Sequence, residues 1–194
     1  MTLIAVTQRT DIITEYNETR DSLDQRWHEF LLICDLTPLI IPNNLEIAKK
    51  IINTIKLDGV LLTGGNDPLE RKNTENFLLD LAIEKKIPVL GVCHGMQRIQ
   101  TYFGTVLKKI PGHIMEKQKI FIGGLEEEVN SYHHYGTTEH TNGFDILARS
   151  DDGVIKAIQH QYLPIKGIMW HPERYTNFKE SDIKLLTNIF FGVK

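Results

Sequence analysis

Residues 87–97 read Ile87-Pro-Val-Leu-Gly-Val-Cys93-His-Gly-Met-Gln97. Pro88–Val92 is a short apolar run that predicts a buried strand, and His94–Phe103 carries apolar residues at helical spacing. Cys93 therefore falls at a strand-to-helix turn. Gly91 and Gly95 flank it symmetrically, which makes a G-x-nucleophile-x-G elbow with sulfur in place of a hydroxyl. Such a turn is strained and needs small neighbours. It lifts the side chain above the sheet and sets it at the positive end of a helix, where an anionic sulfur is favoured. The backbone N–H of His94 is then a candidate oxyanion donor. The other cysteine, Cys34, lies on the apolar face of a predicted helix with no flanking glycines, so a core position is expected for it.

Strand-then-helix alternation continues upstream of the elbow. Leu3–Thr7, Thr37–Ile41 and Gly59–Leu62 read as buried strands. Arg20–Cys34 reads as a helix, with Leu23, Trp27, Phe30, Leu31 and Cys34 in phase. A second helix, capped by Asn43 or Asn44, runs to about Lys56, and a third spans Glu70–Lys85. Alternation of this kind implies parallel strands joined by helical crossovers, with the sheet covered on both faces. After Thr105 the style changes. Val106–Lys109, Lys117–Ile122, Glu127–Ser131, Phe144–Arg149, Val154–Gln159 and Ile165–Trp170 read as short strands between turns, closed by a helix over Phe178–Phe191. The expected architecture is α/β: one domain over 1–194, a three-layer αβα arrangement with a mostly parallel central sheet and small antiparallel additions. In such sheets ligands bind beyond the carboxyl ends of the parallel strands. Gly64-Gly65, Cys93 and His171 all fall at such ends.

His171 supplies the proton acceptor that a thiol nucleophile needs. It sits in Gly167-Ile-Met-Trp-His171-Pro-Glu173-Arg174, at the end of a predicted strand. Glu173, two residues on in extended chain, points to the same side and can orient the imidazole. His133, His134 and His160 are rivals, but none has a carboxylate in phase at a strand end. No His-x-x-x-His helix or paired cysteine spacing suggests a metal, and no P-loop follows Gly64-Gly65.

Composition narrows the classes further. The chain has 194 residues, 22 Lys+Arg against 25 Asp+Glu, and 41% hydrophobic residues. That is globular composition, able to bury about 70% of its unfolded surface. Near-balanced charge offers no field for nucleic acid or an anionic membrane. The opening run MTLIAVTQRTDII is too short for a secretory signal, so a cytoplasmic protein is expected.

These motifs resemble the class I glutamine amidotransferase-like superfamily, with its flavodoxin-like sheet, and most closely its γ-glutamyl hydrolase branch, peptidase family C26. LLTGGNDP resembles the glycine-rich oxyanion strand, GVCHGMQ the elbow, VNSYHH the substrate-clamping strand and IKGIMWHPER the base segment. The resemblance implies Cys93 as acyl acceptor, His171 as general base and then acid, and Glu173 as orienter. It implies oxyanion donors at Gly65 and His94, and a glutamyl group held by Gln97 and the backbone of Ser131, Tyr132 and His133. It implies no cofactor. The substrate would be a small γ-glutamyl amide, with no nucleic-acid or membrane partner. A homodimer and a separate synthase chain are both compatible with the family. Thr7-Gln8-Arg9, the GMQ elbow and HPER favour a free-standing hydrolase over an ammonia-donating glutaminase. His94 stands where polyamine-degrading relatives carry Arg, which points away from γ-glutamyl-aminobutyrate. YNETRDSLDQRW and VNSYHHYG are similar to the small members encoded with bacterial surface-polysaccharide genes, which implies a γ-glutamyl-nucleotide substrate. Arg9 and Arg174, with His94 or His133, would then meet its phosphates, because guanidinium matches phosphate geometry.

Overall fold

The computed structural model describes residues 2–192. The first part of the chain runs β1 (Thr2–Val6), a hairpin of β2 (Arg9–Ile13) and β3 (Glu18–Ser22), α1 (Arg26–Ile33), β4 (Leu36–Ile40), α2 (Leu45–Thr54), β5 (Gly59–Leu62), α3 (Leu69–Lys85), β6 (Val89–Val92) and α4 (His94–Tyr102). There follow β7 (Lys108–Lys109), β8 (Ile114–Ile122), β9 (Leu125–Tyr132), β10 (Tyr135–Gly136), β11 (Phe144–Ser150), β12 (Ile155–His160), β13 (Ile165–Ile168) and α5 (Glu180–Phe191).

Nine strands form one mixed sheet in the order β4-β1-β5-β6-β13-β12-β11-β8-β9. The first five are mutually parallel and the remaining pairings are antiparallel. The parallel strands alternate their apolar side chains between two faces, as period-2 geometry requires. Ile4, Val6, Leu61, Leu90 and Val92 pack with Phe30 and Leu31 of α1 and Leu186 and Phe190 of α5. Ala5, Val60, Leu62 and Val89 pack with Ala48 of α2, Leu78 and Leu79 of α3, and Met96 and Ile99 of α4. The three layers are thus built as the sequence predicts. Cys34 is buried in the first cluster, and burial, then Asp182, pushes its thiol up to about 12.

Glycines seat α4 on the sheet. Gly91 and Gly167 lie opposite each other on β6 and β13. A Cβ on Gly167 would stand 2.7 Å from the Met96 side chain, and one on Gly95 only 2.0 Å from the Leu62 carbonyl oxygen. Contacts that close exclude any side chain.

Three expected elements differ. The helix expected from Arg20 begins only at Arg26, because Arg20–Ser22 belong to β3 and pair with Arg9–Asp11. The Asp21 carboxylate accepts from the Asn43 backbone and side-chain amides, which ties that hairpin to the start of α2 and outweighs the helical spacing. The strand expected over Val106–Lys109 reduces to two residues paired with Tyr135-Gly136, and Val106 is exposed. The strand expected to reach Trp170 stops at Ile168. The cap of α2 is Asn44, whose side chain accepts from the Ile47 N–H at 3.0 Å.

Candidate active site

Thr7, Thr63, Cys93 and His171 converge just beyond the carboxyl ends of β1, β5, β6 and β13. Cys93 has φ 51° and ψ −103°, a left-handed conformation that costs a residue with a Cβ about 1–3 kcal/mol. The elbow persists because its surroundings hold it. The Cys93 N–H donates to Ile168 at 2.8 Å, and the chain enters α4 at once. A Cβ on Gly91 would lie 2.6 Å from Gly95 backbone atoms, so the turn closes only over glycine. Cys93 is 5% exposed, with its sulfur 4.0 Å from the Tyr132 carbonyl oxygen.

His171 is buried, and its Nδ1 lies 2.7 Å from Glu173 Oε1, which leaves Nε2 for Cys93. Burial works against an imidazolium here. The interactions with Cys93 and Glu173 outweigh it, and the His171 pKa is raised to about 9. An imidazolium between sulfur and carboxylate is the form this setting favours. Two features fix the ring. A Cβ on Gly64 would fall 2.4 Å from His171 Cε1, so the glycine makes room for the imidazole edge. Asn130 grips the His171 backbone at both ends: its Oδ1 accepts from the His171 N–H at 2.8 Å and its Nδ2 donates to the His171 carbonyl at 2.8 Å. Tyr175 in turn holds Asn130, accepting its backbone N–H at 3.0 Å.

The Thr63–Asn66 loop is shaped from below by Arg71, which is fully buried. Its guanidinium donates to the carbonyls of Thr63, Gly64 and Asn66 at 2.7, 3.2 and 3.3 Å. With the carbonyls so committed, N–H groups are what the loop can offer a ligand. Gly65 takes φ 138°, where a Cβ would meet Arg71 and Arg9. Glu75 completes the support, accepting from Arg71 Nε at 2.8 Å and Thr7 Oγ1 at 2.9 Å. Burial opposes its charge, yet Arg71 foremost, then His94, hold its carboxyl below the usual range. The His94 ring lies inward, with Nε2 3.4 Å from Glu75 Oε2. Its backbone N–H, at the first position of α4, has no intrahelical partner.

The remaining predicted residues divide between cleft and interior. Gln97 lines a cleft of about 510 Å³ along α4 together with His94, Arg98 and Tyr135, and its Nε2 donates to the Tyr135 carbonyl at 2.8 Å. Tyr132 is half-buried, its ring 5.9 Å from that of His171, with the Arg174 guanidinium 4.9 Å from the Tyr132 ring centroid. Arg9 and Arg174 line a small cavity beside Gly64, Gly65 and His171. Each is near a carboxylate: Arg9 bonds Asp11 at 2.8 Å, and Arg174 lies 3.5 Å from Glu173. The Ser131 and His133 side chains turn inward, Ser131 onto the His113 carbonyl and His133 onto Tyr135 and Lys156. The His133 ring is therefore turned away from any phosphate in the cleft, its backbone N–H donates to the His113 carbonyl at 3.1 Å, and Ser131 pairs with Met115 of β8. Among the described residues no three His, Cys, Asp or Glu side chains are grouped to hold a metal. No described helix is long and apolar enough to cross a membrane.

Arg71, Glu75, Asn130 and Tyr175 escaped the sequence reading. Arg71 and Glu75 left a faint trace, an i,i+4 pair of opposite charge on a predicted helix. That pattern normally marks a solvated face, whereas here both side chains are fully buried.

The family model described as glutamine amidotransferase class-I matches residues 18–193. The γ-glutamyl-CDP-amidate hydrolase of Campylobacter jejuni is 30% identical across 98% of each chain. Anthranilate synthase component 2 of Thermococcus kodakarensis is 31% identical over 79% of this chain and 83% of its own. Among solved structures, the glutaminase domain of Trypanosoma brucei CTPS with bound acivicin superposes with a TM-score of 0.77 at 13% identity, over 100% of this chain and 95% of that one, a likeness of fold.

Proposed function

The chain belongs to the class I glutamine amidotransferase family, and from that premise we propose that it hydrolyses a γ-glutamyl amide through a γ-glutamyl thioester on Cys93. The observation that carries the reading is the line from Cys93 through the buried His171 imidazole to Glu173 at 2.7 Å. The Cys93 sulfur attacks the γ-carbonyl carbon. The carbonyl oxygen, becoming an oxyanion, receives the Gly65 and His94 backbone N–H groups. As the C–N bond breaks, the imidazolium of His171 gives its proton to the departing nitrogen. His171, now a base, takes a proton from water, and the hydroxide equivalent cleaves the thioester. The sulfur is expelled as the anion beside the reformed His171 imidazolium, and glutamate leaves. Glu173 orients the imidazole and stabilises its charged form throughout.

The leaving group is a nucleoside-diphosphate amidate in this proposal, as in surface-polysaccharide modification. Full-length similarity to the Campylobacter jejuni hydrolase supports it. Arg9 and Arg174, which line the small cavity beside Gly65 and His171, would supply cations for the phosphates of that leaving group. A second reading, a glutaminase passing ammonia to a partner synthase, is favoured by the similarity to anthranilate synthase component 2.

One assay separates these readings. Purified protein is incubated with γ-glutamyl-CDP-amidate, L-glutamine and γ-glutamyl-aminobutyrate, and released glutamate is measured. The hydrolase predicts that the nucleotide conjugate is turned over at least a hundredfold more efficiently than glutamine, and that Cys93→Ala abolishes turnover while its far-ultraviolet dichroism is unchanged. Equal turnover by Cys93→Ala would remove Cys93 as nucleophile. Glutamine as sole substrate, accelerated by a partner chain, would establish the glutaminase.

A further inference from the structure

Behind the wall of the cleft lies a buried polar cluster that the chemistry above does not use. Lys156, on β12, is 1% exposed. Its ammonium contacts His113 Nδ1 at 2.8 Å, His133 Nε2 at 2.7 Å and Gln118 Oε1 at 2.5 Å, with Ser131 Oγ at 3.4 Å. The hydrogens can be assigned from the outer partners. His113 Nε2 faces the Asp152 carboxylate at 2.8 Å, so it carries the proton and Nδ1 accepts. His133 Nδ1 faces the Tyr135 carbonyl at 2.9 Å, so it is the donor and Nε2 accepts. Three close acceptors thus converge on Lys156, one of them, His113 Nδ1, shared with the Gln118 Nε2 amide at 2.9 Å; an ammonium has a hydrogen for each and a neutral amine only two.

The cluster ties together segments distant in sequence: the approach to β8, the end of β9 and β12. The end of β9 is Ser131–Tyr132, whose Tyr132 carbonyl faces the Cys93 sulfur. The Tyr135 carbonyl takes a hydrogen bond from His133 and another from Gln97. A continuous path therefore runs from Asp152 through His113, Lys156 and His133 to the residues that line the cleft beside Cys93. Among the described residues no carboxylate touches Lys156. Its nearest compensation reaches it only through His113, so the ammonium is held by dipoles rather than by an ion pair, an expensive arrangement that structural stability alone does not call for.

We propose that Lys156 is a positioning residue for γ-glutamyl hydrolysis: its ammonium fixes His133 and Ser131, and through them sets the Ser131–Tyr135 wall against Cys93 and Gln97. The inference rests on the γ-glutamyl reading of the site. The titratable groups facing Lys156 are His113 from the approach to β8, His133 beyond β9, Asp152 from the β11–β12 turn and, across the cleft wall, Cys93. Burial lowers the Lys156 pKa to about 7, against the opposing pull of Asp152 and Cys93. Burial, then the charge of Lys156, drives His133 down to about 3, which keeps its Nε2 free to accept. Once Lys156 loses its proton, its two hydrogens no longer reach all three acceptors, His113 Nδ1 is left to the Gln118 amide, and the charge-assisted hold on His133 and Ser131 weakens.

The test uses steady-state kinetics of the intact protein with γ-glutamyl-p-nitroanilide or L-glutamine, whichever shows Cys93-dependent turnover. In the wild type KM should rise severalfold between pH 6 and 8.5. In Lys156→Met it should be raised at least tenfold at pH 6 and be flat across that range, with kcat changed less. Wild-type KM and wild-type pH dependence in a folded Lys156→Met would overturn the proposal. A readout independent of turnover is nitrogen-15 NMR of the wild type labelled at histidine. The His133 Nε2 resonance should move with a midpoint near neutrality, at a pH where His133 itself does not titrate. A resonance unchanged from pH 6 to 8.5 would equally overturn it, whether or not any γ-glutamyl probe is cleaved and whether or not the variant folds.

Discussion

The two halves of the sheet build their sides of the cleft by different physics. On the parallel side, catalytic geometry is imposed by backbone. Cys93 sits at positive φ, Gly91 and Gly95 allow chain to approach chain, and Gly64 admits the His171 ring. On the antiparallel side, geometry is imposed by side chains that meet across long sequence separations. Lys156 reaches His133, and Asn130 reaches His171. Backbone devices are local and written as short motifs, whereas side-chain devices form only after the topology has brought strands together. The Arg71–Glu75 pair is the instructive exception: side chains on the parallel side, supporting a backbone loop.

That exception carries the largest expected effect. Removing Glu75 strands the buried Arg71 without its carboxylate, and breaking such a pair costs about 3–5 kcal/mol. Glu75→Ala should lose that much stability in urea denaturation and release little or no glutamate, because the carbonyl-holding guanidinium is no longer anchored. If Glu75→Ala were as stable as the wild type, the loop would be held by backbone alone and the contrast between the halves would be complete.

Next come the glycines, which test the contrast directly. Gly95→Ala would place a Cβ 2.0 Å from the Leu62 carbonyl, a clash with backbone that only a shift of α4 relieves. The expected loss is about 3 kcal/mol. Gly112 has φ +78° and, among the described residues, no neighbour within 4 Å of where a Cβ would stand, so Gly112→Ala should cost only its backbone strain, about 1 kcal/mol. Equal losses would show that the elbow is no tighter than an ordinary turn.

Legibility in the sequence follows the same division. β5, α3, β6 and α4 were readable almost to the residue because apolar period, glycine punctuation and the cysteine elbow all lie within one stretch, 59–103. His171 and Glu173 were readable because they are two residues apart on one extended segment. The β2–β3 hairpin was not. Leu23, Trp27, Phe30 and Leu31 do lie in helical phase, but Arg20 and Asp21 are exposed and Ser22 is half-buried, and their strand form is decided by pairing with β2 and by Asp21 holding Asn43. Nor was the Lys156 cluster. A lysine between Ile155 and Ala157 in a strand reads as an outward-facing charge, and nothing nearby indicates that His113, Gln118 and His133 surround it.

Asn130 tests whether the antiparallel side matters to the chemistry itself. Asn130→Ala removes both side-chain bonds to the His171 backbone and leaves its buried N–H unpaired, while the carbonyl keeps the Arg174 N–H at 3.2 Å. The stability cost is about 2 kcal/mol. A base loosened from its position should also lower kcat by roughly tenfold with little change in KM. Asn130→Asp keeps the acceptor for the His171 N–H and should recover part of that loss. A uniform rise in KM instead would place Asn130 with the substrate wall rather than with the base.

The smallest effect expected is the dependence of stability on pH, because His171 and Lys156 oppose each other. His171 is raised from 6.5 to about 9, so its contribution is complete below pH 6.5 and lost as pH climbs through 9. Lys156 is lowered from 10.5 to about 7, so between those values the unfolded chain holds a proton that the folded chain lacks, and stability rises with pH there. In the overlap, pH 7 to 9, the two slopes largely cancel, and the wild-type urea midpoint should be nearly level. His171→Gln removes the falling part, so its midpoint should climb from pH 7 to 9. Lys156→Met removes the rising part, so its midpoint should fall. Turnover follows another course: kcat should decline to half near pH 9 as the imidazolium that protonates the departing nitrogen is lost, while the neutral-pH change appears in KM. Parallel midpoints in all three proteins would mean that neither buried group titrates apart from its unfolded value, and would uncouple the base on one side of the cleft from the brace on the other.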